Sequence, residues 1–132
     1  GAAALAALLA EPDWVGVPAG LLAASLPGGS GQDADRTVFA AHAAAFPWRS
    51  HARWFAAQMA RWRSLPDDAA ERAARAYRPD LYAEAARAIG LPVPDRAEKM
   101  EGGHDAPWLL PAQPRPLPML PDGFCDGTRF EG

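Results

Sequence analysis

The chain has 132 residues, a length that allows one modest hydrophobic core and excludes two. Its formal charge is −3 and its arginines are interspersed with acids, which argues against a nucleic-acid partner. Alanine and leucine dominate while valine and isoleucine are scarce, so an all-β domain is excluded and a mainly helical chain is predicted. The chain opens inside an Ala/Leu run without an initiator Met, and we interpret it as a fragment of one larger protein.

Residues 1–27 are predicted to form a helical pair. The apolar run 2–10 has high helix propensity and is too short to span a bilayer. Pro18 is favourable in the first turn of a second helix, and Pro27 ends that helix. We expect a turn that contains Trp14 to join the two helices.

A flexible loop is predicted at 28–37, where glycines and polar residues stand in place of large apolar side chains. A helical segment follows over 38–91. Its first part, 38–45, has an ambiguous period, which allows either a short helix or an extended entry segment.

The clearest helix of this segment is predicted over 50–64, with Ser50 as the N-cap. Phe55, Met59 and Trp62 fall on one face, and we expect this stripe to be buried against something large. We also interpret the tryptophans as core residues. This helix is therefore predicted to be the most buried element, with Phe55→Ala as the costliest single substitution.

Two further helices are predicted at 67–76 and from Pro79 onward. Aspartates at the start of the first complement the positive end of the helix dipole. In the second helix Leu81, Ala85 and Ile89 share one face, and the following glycine, at position 90, marks its end.

The last segment, 92–132, is predicted to be an extended, proline-rich wrapping arm, because eight of the residues between positions 92 and 121 are prolines. The whole chain is expected to contain at most a short strand or two. Disorder is one interpretation of the arm. Its large apolar side chains favour another, in which the arm lies along a partner surface and is anchored at its end by two phenylalanines. These residues are Trp108, Leu109, Leu110, Leu117, Met119, Leu120, Phe124 and Phe130.

Few residues point to chemistry. His51 follows Ser50 at a predicted helix N-terminus, where an anion is favoured, although packing is the commoner role for such a histidine. The histidine spacing predicts no metal site, and the single cysteine, Cys125, excludes an internal disulfide. The sequence has no nucleophile elbow and no glycine-rich phosphate loop. We therefore expect no catalytic residues, no cofactor and no enzyme activity.

Four blocks of sequence resemble, in order, the C-terminal region of the nitrate/bicarbonate-binding family of ABC-transporter substrate-binding proteins. The first block is AEPDWVGVP at 10–18, followed by LPG at 26–28. The second is AFPWRSHARWF at 45–55, extended through Gln58, Met59, Arg61 and Trp62. The third is YRPDLY at 77–82 with AA at 85–86 and LPVP at 91–94. The fourth is FCDGTRF at 124–130, in which Cys125 stands where the family has an aromatic residue.

The resemblance implies a two-lobed α/β fold of the type II periplasmic-binding-protein kind, of which this chain supplies a mainly α part and the extended arm. It implies capture of a small oxyanion, nitrate, nitrite or bicarbonate, for delivery to the membrane permease and ATPase of an ABC transporter. The protein would then be periplasmic or membrane-associated. The family coordinates its anion mostly through residues that precede these blocks. Here only Trp48, Ser50 and His51 are expected near the ligand, on the helix N-terminus argument.

Two alternatives stay open at this point. The first is a cytoplasmic nitrate/nitrite sensor of the same fold that controls an antitermination regulator protein. The second is a stand-alone helical interaction module that uses its proline-rich arm for recognition.

Overall fold

A computed structural model describes residues 1–26, 38, 40–63 and 65–131. The chain divides into two compact units, Gly1–Phe39 and Ala40–Gly132. The predicted loop at 28–37 lies outside the described residues. The second unit joins the predicted helical segment and the predicted arm in one body.

The first unit is the predicted helical pair. Helix α1 spans Ala2–Leu9 and helix α2 spans Ala19–Ser25, and the two contact each other. The chain turns back after α1 because the backbone N–H groups of Val15 and Gly16 both donate to the Leu9 carbonyl oxygen, with Gly16 at a φ of +69°. Trp14 lies in this connection, as the sequence predicts, and is exposed.

The helices of the second unit begin and end close to the predicted positions. A short 3₁₀ helix at Ala41–Ala43 is followed by α3 at Arg49–Trp62, α4 at Ala69–Ala76 and α5 at Pro79–Ala88. Helices α3 and α4 pack against each other, and Arg53 of α3 bonds to Glu71 of α4. Proline at the first position of α5 fits the helix because its missing N–H has no partner there in any case.

The arm folds back and pairs with itself and with the chain that follows α5. Strand β1 (Val93–Pro94) pairs antiparallel with β3 (Ala112–Gln113), and β2 (Trp108–Leu110) pairs antiparallel with β4 (Leu117–Met119). The described residues thus contain four short strands, and the prediction of at most one or two is wrong. Each sheet has two strands, so every strand is an edge strand. Proline, which has no backbone N–H to donate, is tolerated in edge strands.

The core of the second unit lies between the approach to α3, helix α5 and the arm. Phe46 and Trp48 precede α3 and meet buried side chains from the other two regions. The arm therefore completes the chain's own core, which differs from the expectation that it lies along a partner surface. The other buried members are Ala43, Ala83, Ala86, Val93, Leu110, Ala112, Leu117 and Met119.

The apolar stripe of α3 is not part of that core. Phe55 is 53% exposed, Met59 48% and Trp62 77%, so the prediction that α3 is the most buried element is wrong. The helix buries its small residues instead, Ser50, Ala52 and Ala56. Small side chains allow α3 to approach its neighbours closely, and this approach turns the large apolar side chains outward.

The interpretation of the tryptophans as core residues holds for Trp48 but not for Trp14 and Trp62, which are exposed. In α5 the shared face of Leu81, Ala85 and Ile89 points to solvent, and the buried residues are Ala83 and Ala86. Periodicity identified a face correctly in α3 and α5 but did not show which side meets the core.

Candidate functional site

A polar cluster lies at the N-terminus of α3 and consists of Ser50, His51, Lys99, Glu101 and Asp122. Its centre is Glu101, whose side chain is 8% exposed. The Ser50 hydroxyl donates to Glu101 Oε1 at 2.6 Å, and His51 Nε2 lies 3.2 Å from Glu101 Oε2. The Lys99 ammonium also bonds to Glu101 Oε2, and the Lys99 backbone N–H donates to Ser50 Oγ at 3.3 Å.

Lys99 connects this carboxylate to a second one. Its Nζ lies 3.0 Å from Asp122 Oδ2, and its side chain is 8% exposed. Asp122 Oδ1 accepts the His104 backbone N–H at 2.9 Å and lies 3.2 Å from His104 Nδ1. The His104 ring stacks on Trp108 with ring centroids 3.7 Å apart. The polar cluster thus ties α3 to two stretches of the arm.

Local backbone geometry brings Glu101 to this place. Glu101 and Phe130 exchange both backbone hydrogen bonds, each at 2.9 Å, which holds the end of the arm beside it. The next residue, Gly102, has a φ of +75°, and a Cβ there would lie 2.6 Å from the Thr128 carbonyl oxygen and from the Phe124 ring. Only glycine fits this turn, because any side chain would push away the loop at 124–130 that closes the arm, which we call the closing loop.

The charges of the polar cluster are held by their partners. Burial raises the pKa of the Glu101 carboxyl, but hydrogen bonds from His51, Lys99 and Ser50 outweigh burial and lower this pKa to about 2. Burial also raises the pKa of Asp122, and bonds from Lys99 and from the His104 backbone lower it below its ordinary value. Both carboxylates are therefore ionised at neutral pH, opposite the Lys99 ammonium.

These pKa values predict that acid destabilises the protein. Glu101 has a lower pKa when folded, about 2, than its ordinary value of 4.5, so the unfolded chain takes up the proton first as the pH falls. The stability that Glu101 contributes is present above pH 4.5 and is lost progressively between pH 4.5 and about 2. Urea unfolding of the protein and of the Glu101→Gln variant across this range should show a difference that shrinks with acid. If the difference in the free energy of unfolding between the two proteins stayed constant with pH, the lowered pKa of Glu101 would be contradicted.

The three residues that the sequence placed near an anion lie together, but their polar groups are already engaged. Trp48 is 1% exposed and belongs to the core, and Ser50 is fully buried. The Ser50 hydroxyl and the His51 ring both bond to Glu101. A carboxylate of the chain itself therefore stands at this helix end, and an external anion would compete with it.

Sequence reasoning missed the other members of the polar cluster. Lys99, Glu101 and Asp122 belong to the proline-rich arm, where charged residues are usually solvated. One signal was available: Lys99 is the only lysine of the chain, and it stands in a short charged run between two proline-rich stretches.

The arrangement supports a structural role more directly than a catalytic one. The Ser50 hydroxyl donates to a carboxylate and not to a histidine, so the nucleophile and base pairing of a hydrolase is not formed at this serine. Over the described ranges, no group of three or more His, Cys, Asp or Glu side chains is arranged to hold a metal ion. Within the same ranges, no helix is long and apolar enough to cross a bilayer.

Comparison of the chain with protein-family models, with curated proteins and with solved structures found no match.

Proposed function

We propose that this chain is a segment of a solute-binding protein that captures a small oxyanion, nitrate, nitrite or bicarbonate, for an ABC transporter, and that it stabilises one lobe of that protein. The observation that supports the proposal best is the position of the sequence blocks on which the resemblance rests. Three of the four blocks, far apart in sequence, contact one another in the second unit.

The contacts between the blocks are specific. Phe46 of the second block meets Tyr82 of the third edge-on, with ring centroids 5.2 Å apart. Trp54 of the second block stacks on Phe124 of the fourth at 5.6 Å. Val93 of the third block lies in the same core as Phe46. The second and third blocks share the core, and the fourth joins the second through Phe124, so one packed unit contains all three. The proposal requires such packing of segments that belong to one lobe.

The proposed role of the polar cluster is to fix the arm. A buried ion pair is weak evidence for net stability, and we propose that here it selects one geometry for the arm. With the arm fixed on α3 and α5, this unit is a rigid support for the lobe. That Trp48, Ser50 and His51 lie near the anion stays a prediction. In the proposed protein, the residues that coordinate the anion belong to the rest of the larger chain.

The exposed apolar stripe of α3 is compatible with this proposal. Phe55, Met59 and Trp62 lie on one helix face and are about half exposed or more. Contiguous apolar surface of this kind marks a region that another body covers. In the proposed protein, the remainder of the lobe covers it.

Calorimetric titration of the natural protein that carries this chain tests the proposal. We expect saturable binding of nitrate or of bicarbonate, and no binding of sulfate at the same ionic strength. Binding of none of nitrate, nitrite and bicarbonate would contradict the proposal. That result would favour the interaction module, for which the exposed α3 stripe is the supporting feature.

A further inference from the structure

A second feature of the same unit is a cavity of about 380 Å³ between α3 and the loop that closes the arm. Trp54, Gln58 and Arg61 line it from α3, at spacings that place them on one helix face. Residues 124–126 and 128–130 of the closing loop line the other side. The volume lies within the range of small-molecule sites.

One wall of the cavity is aromatic. The rings of Trp54 and Phe124 stack on each other, with an interplanar angle of 14° and centroids 5.6 Å apart. Neither side chain is fully buried. A planar ring of a ligand can extend this stack with the offset geometry that aromatic pairs prefer.

The charged side chains that line the cavity favour binding of a negatively charged ligand. Arg61 and Arg129 both line it and are exposed. Among the residues that the structure describes, neither forms an ion pair, although Arg61 is near enough to Asp126 to help lower the pKa of that carboxyl. The one carboxylate of the lining, Asp126, accepts hydrogen bonds from the Thr128 backbone N–H at 3.0 Å and from its hydroxyl at 2.8 Å. Two guanidinium groups against one engaged carboxylate leave the lining positive.

We propose that this cavity binds a small aromatic carboxylate. The ring extends the aromatic stack of Trp54 and Phe124, and the carboxylate accepts hydrogen bonds from Arg61 or Arg129. A guanidinium presents paired donors that match the two oxygens of a carboxylate. A bare inorganic anion would leave the aromatic wall unused, so this site is independent of the proposed oxyanion function.

Cys125 gives a direct measurement of occupancy. It is the only cysteine of the chain, it is exposed, and it lines the cavity. Alkylation by iodoacetamide is followed with benzoate, with its neutral analogue benzamide, and with nitrate as probes. We expect benzoate to slow alkylation saturably by the factor 1 + [L]/Kd, which is about fourfold at a concentration of about three times Kd. Benzamide and nitrate should have little effect.

Variants locate the effect. Arg61→Gln and Arg129→Gln each test one guanidinium, and at least one of them should weaken the protection by benzoate about tenfold, as the loss of a hydrogen bond to a charged group does. Arg75→Gln changes an exposed arginine on α4 outside the cavity and should leave protection unchanged. All three positions are exposed, so folding is preserved.

Three results would overturn the proposal. If benzoate gave no protection, the cavity would not be a binding site for aromatic carboxylates. Equal protection by benzamide would show that the arginines do not recognise the carboxylate, and equal protection by nitrate would show that the aromatic rings do not contribute. None of these results bears on whether the natural protein binds nitrate or bicarbonate in calorimetry, so the two proposals fail separately.

Discussion

Replacing Glu101 with glutamine is expected to lower the free energy of unfolding by about 3 kcal/mol, because removal of one member of a buried ion pair leaves the other charge poorly compensated. Glu101 and Lys99 are each 8% exposed, so the Lys99 ammonium would keep only Asp122 as a carboxylate partner. The Ser50 hydroxyl and the His51 ring would also lose a charged acceptor. Urea unfolding followed by circular dichroism measures the change.

Glu71→Gln is the matched control for this substitution. Glu71 is also paired with a basic residue, Arg53, but the Glu71 side chain is 60% exposed. Ion pairs at such exposure contribute about 1 kcal/mol or less. If Glu101→Gln proved as mild as Glu71→Gln, the polar cluster would not hold the arm, and the proposed supporting role would lose its basis.

Trp48→Ala is the substitution with the largest expected effect on the core. Trp48 is 1% exposed and packs edge-on against Phe46 at 4.6 Å. Its removal deletes a large buried ring and leaves a cavity that the surrounding structure fills only in part, which costs about 3–5 kcal/mol. The unfolding midpoint in urea, followed by far-ultraviolet circular dichroism, should fall accordingly.

Trp62→Ala makes the same chemical change on the exposed stripe of α3. In this chain by itself, without the lobe proposed to cover the stripe, Trp62 is 77% exposed, so the substitution should change the free energy of unfolding by about 0.5 kcal/mol or less. Equal losses for Trp48→Ala and Trp62→Ala would show that the stripe is covered in solution, for example by a second copy of the chain. Such a result would contradict the burial pattern of this structure.

Helix positions were predictable because local signals define them. Pro79 and Gly90 bracket α5, and the apolar run 2–10, which predicts the first helix, coincides with α1 at Ala2–Leu9. These signals act within a few residues of one another. They need no knowledge of the rest of the chain.

The polar cluster was only partly predictable for the opposite reason. Ser50 and His51 stood out by their place at a helix start, whereas their partner Glu101 is 51 residues away from Ser50. No periodic pattern in the arm predicts a contact between residues so far apart in sequence. The path of the arm depends instead on which apolar side chains, such as Leu110 and Met119, enter the core.

The sequence by itself determined where the helices lie and that the arm is extended, since helix propensity, proline and glycine act locally. Only the tertiary structure decided which faces are buried. Small residues of α3 and α5 let neighbouring segments approach closely, so the faces with large apolar side chains turned outward, and the arm supplied the missing core residues. The same approach buried Glu101 beside Ser50, which no local pattern encodes.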